Sequence, residues 1–379
     1  MAKILFAGDF LGVGRVKEMI NNNDLVDLFR DVKTIAEEVD YSVVNLEAPI
    51  VNSTGGYEPI VKCGPSLCSP LDIIGAIKYI GFNMCALANN HILDYGESGL
   101  RDTLSLLSAN NINSIGAGKD IEEAFRIQYR KIDNKTFSFI NCCEEEFSIA
   151  TCSSYGAAPL DIVKLYYLIS EAKCKSDFVI LITHGGVEHY NYPTPYNQDN
   201  YRLLIDFGAN LVVNTHQHCI SGYEYYNNGL IIYGLGNFCF DKGKYLNENW
   251  NTGIISIVEF NENRIKLSIL PLIHNAEIPG VHLLDKQGSQ SVLSRISDFN
   301  RVISDRESLE KTYSDFVKET NNCYSVALHP FKSRLIDSLA VRGLVPCLFS
   351  KSKLLYLLDM FTCSSHRERF KYYIRSLLK

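Results

Sequence analysis

The chain of 379 residues contains no run approaching the ~18–20 consecutive apolar residues that a membrane-spanning helix needs. Its 12 cysteines include no C-x-x-C pair, so the usual spacing of a structural zinc site is missing. There is no G-x-x-x-x-G-K-[ST] loop to cradle nucleotide phosphates, which leaves a nucleotide-driven ligase without support. Positive charge is not in excess either. The 37 Lys and Arg stand against 43 Asp and Glu, a net charge of −6, which argues against nucleic acid as a partner. No cationic stretch and long apolar segment precede the first strand pattern, which begins within Met1–Phe6. The expectation is a cytoplasmic protein whose cysteines are reduced and buried as small apolar groups.

What is present is the usage of a globular protein, 46% hydrophobic and 21% charged. Short apolar runs at Lys3–Ala7, Tyr41–Leu46, Phe82–Ala88, Phe125–Ile132, Thr136–Cys142, Phe178–Thr183 and Leu211–Asn214 read as strands. Stretches with apolar residues at helical spacing lie between them, at Leu25–Val39, Pro70–Ile80, Gly99–Ser108, Asp161–Ala172 and Gln198–Phe207. Strand-like runs follow at Leu230–Tyr233, Thr252–Phe260 and Arg264–Leu270, giving an α/β pattern with a β-rich later part.

The polar residues fall in telling places. Asp9, Glu47, Asn90 with His91, His184, and His216 with His218 each lie just past the C-terminal end of an apolar strand run. In open α/β sheets that edge is where ligands bind. Carboxylate, imidazole and amide oxygen together suit Zn, Mn or Fe. Asp9 and Glu47 would repel if buried together without a cation. His216 and His218, two residues apart, face one side of an extended segment.

Gly8-Asp9, Asn45-Leu46-Glu47, Ala88-Asn89-Asn90-His91 with Asp94 and Gly96, Thr183-His184-Gly185-Gly186-Val187-Glu188, Thr215-His216-Gln217-His218 and the run from Ile231 to Asp241 occur in the order seen in the CapA family of poly-γ-glutamate and capsule biosynthesis proteins. The resemblance covers roughly residues 2–280. It implies a four-layer αββα sandwich of metallophosphoesterase type over residues 1–280, with 281–379 as a mostly helical C-terminal extension. It further implies divalent metal ions, one or two per chain, held by Asp9, Glu47, Asn90, His184, His216 and His218. His91, Asp94 and Glu188 then carry catalytic roles: His91 protonates a leaving oxygen, Asp94 orients it, and Glu188 serves as a base, a ligand or an acceptor for a histidine N–H. Three departures stand out. Leu11 occupies the position of the histidine two residues after the aspartate, Gly185 stands where the family usually has Trp, and Arg15 follows Asp9 one residue late.

The function so implied is metal-dependent hydrolysis of a phosphoester or related anionic bond in surface-polymer synthesis, with an anionic substrate such as a capsule precursor or polymer. The alternative is a non-hydrolytic accessory subunit of a synthase complex that binds an anionic polymer on the same fold. From Phe331 to Lys379 ten Lys or Arg stand against three Asp or Glu, a surplus of +7, interspersed with apolar pairs such as Leu354-Leu355 and Leu377-Leu378. That segment, broken at Gly343 and Pro346, is expected to dock on its own acidic domain, on a synthase complex or peripherally on a membrane, and not to catalyse. Tyr190, Tyr192 and Tyr196 are expected to pack as a loop rather than to form a sugar platform.

Overall fold

Alternation of side chains across a strand fixes how this chain layers. In the strand Ala2–Leu11, Ile4 and Phe6 are buried on one face and Leu5 and Ala7 on the other. Both faces are apolar because both are covered, as a central strand of a parallel sheet requires. The computed structural model describes residues 1–320 apart from 53–55, 63, 245 and 262–263, and then 333–342, 344–345, 349–362 and 374.

The first sheet orders its strands as Val281–Leu283, Arg264–His274, Thr252–Asn261, Ala2–Leu11, Tyr41–Leu46, Met84–Ala86 and Asn113–Ile115, with Asn237–Phe240 joining Ala2–Leu11 beside this path. The members from Ala2–Leu11 to Asn113–Ile115 run parallel. The second sheet runs Tyr223–Tyr226, Gly229–Ile232, Leu211–Thr215, Phe178–His184, Lys135–Cys143 and Gln128–Ile132, with the four inner strands parallel.

Three apolar clusters define the layers. Ile4, Phe6, Val43 and Met84 of the first sheet interleave with Phe137, Phe139, Ile180 and Val213 of the second, so the sheets pack face to face. Leu5, Val44 and Cys85 pack outward onto Leu28, Phe29, Val32, Ile77 and Leu100 from helices on the far side of the first sheet. Ile140, Leu181 and Val212 pack outward onto Leu165, Ile169, Tyr201 and Leu204 from the helices Ile162–Lys175 and Pro195–Phe207. The result is the four-layer αββα sandwich expected from the sequence.

The chain divides into two compact units, Met1–Glu310 and Lys311–Lys379. The first takes in the helix Lys286–Ser304, which buries Val292 and Ile296 in the inter-sheet layer. The second contains the helices Arg334–Val341 and Lys351–Thr362. On the latter, Leu355, Leu358 and Phe361 are exposed. The expected break at Gly343 and Pro346, and the pairs Tyr372-Tyr373 and Leu377-Leu378, lie outside the described residues. No helix among the described residues is long and apolar enough to cross a membrane.

Local expectations failed in two instructive places. The run from Phe125 is not strand from its start. Asp120 caps a short helix Ile121–Ala124 by accepting from Glu123 N, and the strand begins only at Gln128. Of the described cysteines, Cys85, Cys142, Cys143, Cys219 and Cys239 are buried as expected, but Cys152 and Cys174 are exposed and Cys68 is intermediate. Cys63, Cys323, Cys347 and Cys363 lie outside the described residues.

Candidate metal centre

Parallel strands end together, so the residues following them meet at one edge. Asp9 pairs in register with Asn45 on one side and Asn237 on the other. In the second sheet Thr215 pairs with His184. Gly8 lets these segments close up: a Cβ there would lie 1.9 Å from the carbonyl oxygen of Gly236. His216 and His218 both take left-handed backbone, at φ 93° and 55°. For non-glycine residues this costs about 1–3 kcal/mol each and gathers at functional sites.

Asp9, Glu47 and His218 each offer a ligand atom, all within 4.8 Å of one another, and all three residues are buried. The Asn45 amide bridges the two carboxylates, donating to Asp9 Oδ1 at 2.8 Å and Glu47 Oε2 at 2.6 Å. Glu47 Oε1 has no hydrogen-bond partner. It stands 3.8 Å from His184 Nε2 and 4.0 Å from His218 Nε2. His184 Nε2 also lies 3.2 Å from Asn90 Oδ1 and 3.1 Å from His216 Nδ1.

The Nδ1 atoms of His184 and His218 have neighbours that turn Nε2 towards Glu47, His218 Nδ1 lying also 3.2 Å from Asp9 Oδ2. Thr215 Oγ1 lies 2.9 Å from His184 Nδ1, and Asn237 Oδ1 lies 2.9 Å from His218 Nδ1. The Asn237 amide nitrogen donates to the carbonyls of His218 and Trp250, so its oxygen must accept from the imidazole. Nδ1 of His218 then carries the proton and Nε2 presents a lone pair towards Glu47. Such outer contacts orient metal-ligating histidines generally.

Electrostatics alone leave this cluster unbalanced. Burial, then the Asp9 charge, pushes the Glu47 carboxyl well above the usual range. Burial, then the neighbouring imidazoles, holds His184 well below its usual value and brings His216 down to about 4. For His218 burial acts downward, but hydrogen bonding and charge from Asp9 outweigh it and raise it. Among the described residues, neither Asp9 nor Glu47 has a Lys or Arg within ion-pair distance. Two buried carboxylates, a partnerless Glu47 oxygen beside the Nε2 atoms of His184 and His218, and His184 and His216 held neutral fit a divalent cation.

His91 and Asp94 lie beside this cluster. His91 Nδ1 is 2.7 Å from Asp94 Oδ2. Glu188 is not in the cluster. Its carboxylate is about half exposed and 4.0 Å from His189 Nε2.

The departures have physical fillings. Leu11 is fully buried with Ala48, Phe240 and Trp250, and these two rings pack on His218 at 5.5 and 5.1 Å between centroids. Gly185 abuts Glu144: a Cβ there would come within 2.7 Å of its side chain. Arg15 is locked by Asp241 and by the carbonyls of Asn275, Ala276 and Glu277, a fold clamp rather than a substrate contact. Tyr190 and Tyr192 pack together, and Gln217 Nε2 donates to both their carbonyls, whereas Tyr196 is exposed. The sequence motifs contain Asn45, Thr215 and Asn237 but gave them no role, and Lys62, which reaches Asp94 from a loop, lies in none of them.

The chain matches the bacterial capsule synthesis protein family PGA_cap over residues 3–242, more than half its length. It is 30% identical over 243 residues to the capsule biosynthesis protein CapA of Bacillus anthracis, covering 62% of this chain and 59% of that one. It is 31% identical over 246 residues to the PGA biosynthesis protein CapA of Bacillus subtilis, covering 63% of each. It thus spans between 59% and 63% of the length of these curated relatives. A phosphatase from Mycoplasma pneumoniae of known structure is similar at a TM-score of 0.44 and 15% identity, over 73% of this chain and 94% of that one. The matched stretch contains every residue of the cluster, from Asp9 to Asn237, and the chain belongs to the bacterial capsule synthesis protein family PGA_cap.

Proposed function

We propose that this protein is a metal-dependent hydrolase of a phosphoester or related anionic bond, working in capsule, poly-γ-glutamate or other surface-polymer synthesis. The observation that carries the reading is Glu47 Oε1, a buried oxygen without a partner, flanked by the Nε2 atoms of His184 and His218. Asp9, Glu47 and His218 would hold one divalent ion, with Asn90, His184 and His216 around Glu47 offering a second flank; Mn, Zn and Fe suit these donors. When bound, such an ion supplies Lewis-acid charge to an anionic substrate and makes water a better nucleophile. The chain's own part is proton handling. Asp94 accepts from His91 Nδ1–H; protonated at Nε2 as well, the imidazolium would give that Nε2 proton to the leaving oxygen and be left neutral with its remaining proton on Nδ1. Glu188, about half exposed, would serve as a base towards solvent.

A non-hydrolytic accessory role is favoured by one observation, the apolar packing of Leu11 where a further ligand would be expected. We also propose a cytoplasmic place of work, supported by the free state of all described cysteines, with the basic tail docking on a synthase complex or membrane surface. The test is hydrolysis of aryl phosphate mono- and diesters by the metal-loaded protein. Glu47→Ala should abolish turnover, and His91→Gln should lower kcat by about 10²–10⁴-fold with metal content unchanged. Turnover surviving Glu47→Ala, or absent from the loaded parent, would overturn the hydrolase reading in favour of the accessory one.

A further inference from the structure

The Lys62 side chain is only 4% exposed, and its ammonium pairs with Asp94 Oδ1, itself fully buried. Its Nζ also lies 3.1 Å from His91 Nδ1. The other Asp94 oxygen accepts from Leu67 N at 2.7 Å and faces His91 Nδ1 at the same distance. A carboxylate oxygen and a bare ring nitrogen do not approach to 2.7 Å, so a proton lies between them; with the Lys62 ammonium and the Leu67 N–H both on Asp94, the carboxylate is the acceptor and Nδ1 the donor. That leaves no lone pair on Nδ1 for Lys62, whose ammonium acts on the Asp94 carboxylate as an ion pair.

A simple staple does not account for this lysine. The loop that carries it is already pinned. Val51 N donates to Ser69 O and Ser69 N to Pro49 O at its base. Ile60 N donates to Asp94 O. Tyr57 bonds Asp102. A buried ion pair is costly in desolvation, several kcal/mol per ion, and packed apolar residues would hold the loop as well. What an apolar residue would not supply is a fixed positive charge on the carboxylate that orients His91.

We propose that Lys62 is a positioning residue for His91: its ammonium keeps Asp94 an acceptor, so one proton of His91 is held on Nδ1 and the proton that the imidazolium gives up is the one on Nε2. This rests on the reading of His91 as the proton donor of a hydrolase, so the test has two arms. The first needs no activity. In the full-length protein with labelled histidine, the parent should show a slowly exchanging, low-field Nδ1–H resonance that vanishes in His91→Gln. Lys62→Met should lose that resonance while melting within a few degrees of the parent, and Lys62→Arg should keep it. The second arm is kinetic, with an aryl phosphate as probe. Lys62→Met should lower kcat about ten- to a hundredfold with KM within about twofold of the parent, part of the gain a positioned acid gives, and Lys62→Arg should recover most of it. If Lys62→Met does not fold, Lys62→Gln takes its place, keeping a donor without the charge. A resonance that persists in the folded, uncharged variant overturns the proposal even if the parent hydrolyses nothing. A parent that is inactive with the resonance behaving as expected overturns only the hydrolase reading.

Discussion

Leu11→His restores the donor that this chain lacks, and its consequences can be worked out before it is made. Leu11 is fully buried against Ala48, Phe240 and Trp250. Removing a buried leucine forfeits about 2 kcal/mol of apolar burial. An imidazole set there without a partner adds roughly 1–3 kcal/mol of desolvation. The metal-free variant should therefore be less stable by about 3–5 kcal/mol, and at about 2 °C per kcal/mol for a unit of this size its Tm should fall by about 6–10 °C. Metal reverses the sign. An ion bound at a hundred times its Kd returns about 2.7 kcal/mol, or roughly 5 °C. The assay is differential scanning calorimetry after chelation, repeated with added Zn or Mn, with elemental analysis after gel filtration. The variant should melt well below the parent when chelated and should gain more Tm and more bound metal than the parent when loaded. A chelated variant as stable as the parent would refute the packing argument. A destabilised variant with no extra metal would refute the expectation that a histidine at position 11 adds a ligand to the cluster.

Two further outcomes test the contacts around the site. Asn237→Leu removes the acceptor that sets the His218 tautomer and should weaken metal binding by about 10–100-fold in competition with a chromophoric chelator, while Asn237→Asp, which keeps the acceptor, should weaken it less. Burial pushes His274 down from 6.5 to about 4, its Nε2 2.8 Å from the carbonyl of Trp250. The unfolded chain takes up that proton near 6.5 and the native one refuses it until about 4, so stability is fully present above the unfolded value and falls as pH drops, by up to about 3 kcal/mol across the window. Denaturant unfolding of the chelated protein between pH 7 and 4 should show a shallower pH slope in His274→Gln than in the parent; equal slopes would contradict the assignment.

Much of the site was legible because its donors follow strands that the sequence marks clearly. Tyr41–Leu46 matches the observed strand end to end, and the strands at Phe178 and Leu211 begin where the apolar runs begin. Once those strands run parallel, Glu47, His184 and His216 must share an edge. The hidden parts depend on long-range pairing. Asn237 acts only because its short strand joins Ala2–Leu11 from more than two hundred residues away. Thr215 reads as an ordinary β-branched strand residue until His184 is set beside it. Lys62 sits in a loop with no periodicity, and its partner Asp94 was read for His91 alone. The helix Gly14–Asn21 was passed over because it is short and mostly polar, with only Val16 and Ile20 buried.

The central claim is that Glu47 Oε1 lacks a partner in the protein because its partner is a metal ion. Diffraction from crystals of the Mn- or Zn-loaded protein, collected on both sides of the metal's absorption edge, tests it directly. The account predicts an anomalous peak about 2.0–2.2 Å from Glu47 Oε1 and from the Nε2 of His184 or His218, with none in Glu47→Ala crystals treated alike. A loaded crystal with no peak between these atoms, or the same peak in Glu47→Ala, would contradict it.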